Sequence, residues 1–431
     1  MQTAHAPLTG AESPLPSARW QMVGILLVGG IAAWVPPFVT VVPHDYLEFL
    51  LPWYQHIRAA GQLGAFAHPF SNYTPPYLYL VAISTLPDLP PLFAIKLLST
   101  LGSLWTAYAT YRLLTVARAP QAFEGSLAVL LLPTVTLNGP VLAQADMFWV
   151  APCLLAIASC YRGNAASAAF WAGVGFAFKA QAIFIAPFVI AMLILMRARW
   201  WHWLIPALVY AAATLPAWVA GWPAIDLLTI YIRQAQYIPP DGVRYVSTAS
   251  NWWALFAYLD HSHAVQTFWI GFAAAIVASL FYIRRLTTRG SNLLLGAATS
   301  STMLPFLLPG MHERFYALAE LAVFCLAWTC RSRRTVIAAL LMQMQLLLAY
   351  FGWILRRPEL AIVGAALVTG VLWLLVGELT APAQDGEASE RSHRSILRND
   401  WSEASNDRIH LPYRKRARGK AQISLEPRAH V

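Results

Sequence analysis

Charge is the scarcest commodity in this chain: Asp, Glu, Lys and Arg together make up 12% of its 431 residues, against ~25% in soluble domains. So few charges cannot cover the surface of a soluble fold of this size. A hydrophobic fraction of 58% and a mean hydropathy of +0.52 place the chain among all-α, polytopic membrane proteins. Cysteine is also sparse. Cys153, Cys160, Cys325 and Cys330 all fall in apolar segments, where a thiol behaves as a small hydrophobe, which argues against a disulfide framework or a thiolate metal site. No period of roughly 20–50 residues recurs, and the two halves lack the matched broken helices of inverted-repeat transporters. The formal charge of +10 does not point to nucleic acid. Of the 30 basic residues 26 are arginine, and most stand singly or in pairs at the ends of apolar runs, as a topology signal would.

Apolar stretches long enough to cross a bilayer, some short and tilted, predict twelve helices near 20–42, 91–114, 122–138, 147–161, 165–179, 182–196, 201–221, 264–283, 291–309, 314–330, 335–354 and 359–379. The polar, Pro/Ser-rich residues 1–19 precede a first helix without a convincing cleavage site, so that helix reads as retained. With the N-terminus cytoplasmic, twelve Arg fall inside against seven basic residues outside, the bias expected of that orientation. The membrane domain then covers 20–380, with outer loops 43–90 and 222–263. A helix near 76–88, bracketed by prolines, is too short to span and reads as interfacial. Residues 381–431 are rich in charge and Ser and hold too few apolar residues to bury a core. They read as a basic cytoplasmic tail, disordered, whose cluster at 413–420 has anionic lipid as its alternative partner.

This orientation gathers scattered polar residues on one outer face. Asp45 and Glu48 follow the first helix one helical turn apart, so on a helix both point the same way. Asn72-Tyr73-Thr74-Pro75-Pro76-Tyr77 forms a stiff aromatic turn, a lining suited to carbohydrate. Gln144, Asp146, Lys179, the 222–263 loop and His312-Glu313-Arg314 lie on the same side. Each has a plainer reading: Asp45 as interfacial decoration, Lys179 as a residue snorkelling from a helix end, Asp146 as a helix cap, Arg314 as an interfacial anchor, and Arg233 and Arg244 as solvated loop residues.

Five stretches in this order resemble the GT-C glycosyltransferases, integral membrane enzymes that transfer a sugar from a polyprenyl-phosphate donor. They are Asp45-Tyr46 with Trp53-Tyr54 and the Asn72–Tyr79 turn; Gln144-Ala145-Asp146, where Ala143 replaces the family's usual glycine; Phe178-Lys179-Ala180-Gln181; Ser250-Asn251-Trp252-Trp253; and Met311-His312-Glu313-Arg314-Phe315-Tyr316. The chain is most similar to bacterial polyprenyl-phosphate-mannose enzymes and to dolichyl-phosphate-glucose enzymes.

The resemblance implies a division of labour. Asp45 is the base that takes the acceptor proton, with Glu48 as fallback. Lys179, Arg314 and His312 hold the donor phosphate, with Arg233 and Arg244 as weaker partners. Gln144, Asp146 and Glu313 hold sugar hydroxyls or orient neighbours, and Trp53, Tyr73, Tyr77, Asn251, Trp252 and Trp253 line the acceptor groove. The implied function is inverting transfer of a hexose, most simply mannose, to a lipid-linked or envelope glycan at the outer face of a plasma membrane. No cofactor is expected. A divalent-metal site needs several carboxylates converging on one ion, this face supplies few, and the look-alikes are metal-independent. A secondary transporter and a non-catalytic scaffold or transport protein of glycan export are the alternatives.

Overall fold

The computed structural model describes residues 16–236, 249–256, 264–357 and 359–380. Residues 1–15, Arg244 with the rest of 237–248, residues 257–263 and the tail from 381 lie outside the described residues. Among the described residues the only regular structure is helical. The helices are α1 (Pro16–Thr40), α2 (Leu51–Ala60), α3 (Pro75–Ser84), α4 (Pro91–Val116), α5 (Ala122–Val129), α6 (Pro133–Thr136), α7 (Met147–Tyr161) and α8 (Ala165–Phe178). They continue with α9 (Ala186–Leu195), α10 (Ile205–Ala220), α11 (Ala224–Gln236), α12 (Ala264–Arg289), α13 (Leu293–Leu307), α14 (Ala317–Cys330), α15 (Arg333–Ile354) and α16 (Glu359–Thr380).

Among the described residues six helices are long and apolar enough to cross a bilayer: Ala18–Thr40, Pro91–Val116, Trp200–Ala220, Trp269–Arg289, Arg333–Ile354 and Glu359–Thr380. A pair bent by 51°, Ala122–Val129 with Pro133–Val141, makes a seventh if counted as one span. This is a multi-pass membrane bundle, and fewer of its helices reach membrane length than the twelve expected. The shortfall has a physical reason. At 1.5 Å per residue, the 15 residues of α7 rise only about 22 Å, short of the ~30 Å hydrocarbon core. Every residue of α7 except Tyr161 is buried, so it is sheathed by protein rather than lipid. It packs against α4, α8 and α14. By contrast α1 is exposed over nearly its whole length.

The short helix expected to lie in the interface is α3, and it is built into the bundle. Pro75, Pro76, Tyr77, Leu78, Val81 and Ala82 are buried against α2, α4, α8 and α10. Asparagine and serine start several helices by accepting exposed amides. Asn164 Oδ1 takes the Ser167 amide before α8, Asn292 the Leu294 amide before α13, and Ser332 Oγ the Thr335 amide before α15. Cys153, Cys160 and Cys325 are buried free thiols, and Cys330, also free, is exposed at the end of α14.

A lysine fixes the exit of the first helix. Lys96 on α4 is wholly buried, and its ammonium donates to the carbonyls of Pro37, Phe38 and Val41 at 2.7, 3.0 and 2.6 Å. The last carbonyls of a helix have no intrahelical donor, so one side chain caps α1 and sets where the segment leading to Asp45 begins.

Candidate active site

Asp45 enters the next turn directly, and that turn is π-helical, Tyr46–Leu50. The wider i→i+5 winding separates the two carboxylates that α-helical spacing would align. Asp45 faces inward with 19% of its side chain exposed, whereas Glu48 faces out, 52% exposed, beside the His44 ring at 3.3 Å. Glu48 is therefore not a partner of Asp45.

A second π turn, Leu137–Val141, delivers Gln144. Its amide chain ends with Ala143 in the left-handed region, φ 54°, and with the Gln144 N–H donating to Asn138 O at 2.7 Å. The position that carries glycine in the resembled family thus needs a conformation glycine adopts freely. The turn aims Gln144 Nε2 at Asp45 Oδ2, 2.8 Å away.

Arg314 meets the same oxygen. It lies in a short 3-10 turn, Glu313–Tyr316, and its Nη1 donates to Asp45 Oδ2 at 3.1 Å. Its Nε stands 3.7 Å from Asp146 Oδ2, and Nη1 stands 3.8 Å from Glu313 Oε1. Among the described residues Asp45 Oδ1 accepts no hydrogen bond, so one oxygen of this carboxylate is engaged and the other is open.

Asp146 is the buried anchor. It occupies the N-cap position of α7 but caps no amide. Instead Oδ1 accepts from Lys179 Nζ at 2.7 Å and from Trp149 Nε1 at 3.0 Å. Its accessibility is 0%, so the expected contact with sugar hydroxyls is replaced by a counter-ion role. Burial by itself raises the Asp146 carboxyl, but Lys179 and Arg314 outweigh it and hold the group below the usual carboxylate range. Burial likewise pulls the Lys179 ammonium down, and Asp146 more than restores it. Lys179 is placed by the first loop, because Thr74 Oγ1 donates to Phe178 O at 2.9 Å. The Tyr73 ring lies 5.1 Å from its ammonium, a cation–π distance.

His312 adjoins the cluster with its ring 5.2 Å from Phe315. Burial first, then the nearby Arg314 and Lys179 charges, push its pKa down from 6.5 to about 3, against the opposing pull of Asp45 and Asp146. It is a neutral imidazole at neutral pH. Glu313 is 1% exposed and serves Arg314 as counter-ion, out of reach of a sugar in this arrangement.

The expected aromatic lining divides by depth. Tyr73 is partly exposed and lies tilted against Trp53 at 5.1 Å and Tyr77 at 5.5 Å, both of which are buried and act as its backing. Asn251 is buried too, and its Oδ1 accepts the Trp253 and Ala254 amides while Nδ2 donates to Leu308 O. That makes it a turn-forming residue. Trp253 is buried with its indole N–H on Leu307 O, and Trp252 alone of the pair is exposed, at 44%. Arg233 pairs with Asp226 on the exposed part of α11 and takes no part in the cluster.

Among the described residues no three His, Cys, Asp or Glu are placed to hold a metal ion. Three carboxylates meet here, but Lys179 and Arg314 stand among them. Two further buried ionisable residues lie outside the sequence-based site. Lys96 fixes the approach to Asp45. Glu320 on α14 is buried and takes hydrogen bonds from Thr134 and Gln343. The detectable signal for both is an ionisable residue inside an apolar helix. Compared with known proteins, the chain matches no family model and no curated protein.

Proposed function

We propose that this protein is an inverting glycosyltransferase of the GT-C type, moving a hexose, most simply mannose, from a polyprenyl-phosphate carrier to a lipid-linked or envelope glycan. The observation that carries the reading is the convergence of Asp45, Gln144, Asp146, Lys179 and His312-Glu313-Arg314, from four separate stretches, into one cluster with a half-open carboxylate at its edge. Twelve spans, with both termini cytoplasmic and the cluster on the outer face of the plasma membrane, complete the proposal. The short helices then cross as tilted or protein-sheathed segments.

The chemistry needs few parts. The acceptor oxygen attacks the anomeric carbon as the bond from that carbon to the phosphate oxygen breaks, and the hydroxyl proton passes to Asp45 Oδ1. The electron pair leaves with the lipid phosphate, a stable anion, so no second carboxylic acid is required as it is in a glycosidase. Arg314 and Lys179 are the cations available to that phosphate, already oriented before it arrives, and the neutral His312 ring adjoins them. Tyr73 and Trp252 offer exposed faces on which a sugar ring stacks.

The test is incubation of the purified protein in detergent with labelled polyprenyl-phosphate mannose and, separately, its glucose counterpart. Transfer from one donor should vanish in Asp45→Asn while expression and membrane insertion persist. Full activity in that variant would sink the assignment of the base. Glu320 favours a second reading as an ion-coupled transporter, since buried intramembrane carboxyls mark proton paths. In that case proteoliposomes would show substrate-driven proton uptake lost in Glu320→Gln, and no sugar transfer.

A further inference from the structure

The bundle end opposite the candidate site carries two arginines with no counter-ion among the described residues. Arg162 closes α7 and Arg112 lies in the last turns of α4. Sixteen residues separate Arg162 from Asp146 and Arg112 from Lys96, so each lies about 24 Å along its helix from the site end. Arg162 Nη2 donates to Ser159 Oγ at 3.2 Å, but Nη1 is buried and has no partner among the described residues. Arg112 Nη1 donates to Tyr108 OH at 2.7 Å, and the guanidinium sits 5.7 Å from the Tyr108 ring. Burial, then the Arg112 charge, pulls Arg162 below its ordinary value. Neither arginine forms an ion pair among the described residues. A partly exposed guanidinium with one buried, unmet N–H beside a like charge is strained, and an anion that bonds both would relieve it.

The surface leading to this pair says which anion. Leu97, Leu101, Leu104 and Tyr108 are exposed by 40 to 52% and follow one another at helical spacing, so one face of α4 is an open apolar stripe ending at Arg112. From Leu97 to Tyr108 the stripe rises about 16 Å, close to half of the ~30 Å hydrocarbon core and so to one leaflet. A tyrosine and an arginine at the end of such a stripe are interfacial anchors.

We infer that Arg112 and Arg162 form a binding site for the phosphate of an anionic phospholipid whose acyl chains run along the Leu97–Tyr108 face of α4. The site is independent of the glycosyltransferase reading. Guanidinium groups suit it because they grip phosphate oxygens through paired N–H donors.

The experiment is native mass spectrometry of the delipidated full-length protein in detergent, titrated with phosphatidylglycerol or with phosphatidylcholine of the same chains. A parallel thermal-stability series adds each lipid or inorganic phosphate. Phosphatidylglycerol should be retained preferentially and raise the melting temperature, while phosphatidylcholine and inorganic phosphate leave it unchanged. Arg162→Gln and Arg112→Gln should each weaken phosphatidylglycerol retention about tenfold, the loss of one charge-assisted hydrogen bond. Arg284→Gln, an exposed arginine on α12, should not.

Equal retention of both lipids would overturn the proposal, as would unchanged retention in Arg162→Gln. The same stabilisation by inorganic phosphate alone would replace the lipid with a free anion. The wild-type comparison decides by itself if a Gln variant fails to fold, and Arg162→Lys, which keeps the charge without the fork, should fall between wild type and Gln.

Discussion

The Asp146–Lys179 pair is where removing one charge should do more harm than removing two. Asp146→Asn keeps an oxygen for the Trp149 indole but leaves the Lys179 ammonium, 10% exposed, without the one carboxylate that among the described residues lies within ion-pair distance of it. Stranding a buried charge costs about 3–5 kcal/mol. Lys179→Met is milder, because Asp146 retains Trp149 at 3.0 Å and Arg314 at 3.7 Å, so about 2–3 kcal/mol is expected. Independent effects would sum to roughly 5–8 kcal/mol. In the double variant no charge is stranded, since Arg314 still faces Asp45 and Glu313. It should be no less stable than Asp146→Asn alone, a coupling of at least about 2 kcal/mol. Detergent-driven unfolding followed by tryptophan fluorescence measures this, with Trp149 as a reporter beside the mutation. Additivity within about 0.5 kcal/mol would refute the reasoning.

Lys96→Met removes the ammonium from three carbonyls, of which Pro37 O keeps the Val41 amide, and should cost about 2–4 kcal/mol; faster amide hydrogen exchange over residues 41–50, with Asp45 intact, would show that the loss propagates to the site. Ala143→Gly relieves a left-handed alanine and should stabilise by up to about 1 kcal/mol, whereas a destabilised variant would mean that the buried methyl outweighs the backbone strain. Glu48→Gln should leave both stability and sugar transfer unchanged, because its side chain is half exposed and bonded only to His44; loss of transfer would return Glu48 to the site. His312 has a folded pKa of about 3 against 6.5 unfolded, so it contributes stability above pH 6.5 that drains away as pH falls toward 3. The melting temperature should therefore drop between pH 7.5 and 5, and less steeply in His312→Gln.

Apolar runs made the helical membrane class legible, because a continuous apolar segment facing lipid satisfies its own amides only as a helix. Run length alone does not decide span number. Buried helices such as α7 are as apolar as spanning ones, and only their neighbours reveal that they need not match the bilayer. Asp45, Gln144, Lys179 and Arg314 were legible because polar residues clustered on one face stand out in so apolar a chain. Glu48 was misplaced by assuming 3.6-residue winding where a π turn occurs, a feature with no composition signature. The buried positions of Asp146, Asn251, Tyr77 and Trp253 were equally hidden, since an aromatic or an amide that lines a groove and one that supports it are the same letters. Lys96 and Glu320 carry only the faint signal of one ionisable residue inside an otherwise apolar period.

The proposed roles of Arg314 and Asp45 draw on a single shared contact. Arg314 Nη1 bonds Asp45 Oδ2 at 3.1 Å, and the same guanidinium is the cation best shaped to take a phosphate. Three carboxylates already surround two cations here, so an entering phosphate must compete with one of them. Asp146 is the least yielding, wholly buried and held by Lys179 and Trp149; Asp45 is the most yielding, partly exposed and also held by Gln144. A phosphate that displaces Asp45 from Arg314 leaves that carboxylate held by the Gln144 amide alone among the described residues and free to turn toward an acceptor hydroxyl. Donor arrival and release of the carboxylate are then one event, which is a reason for Asp45 to rest on Arg314 rather than on solvent alone.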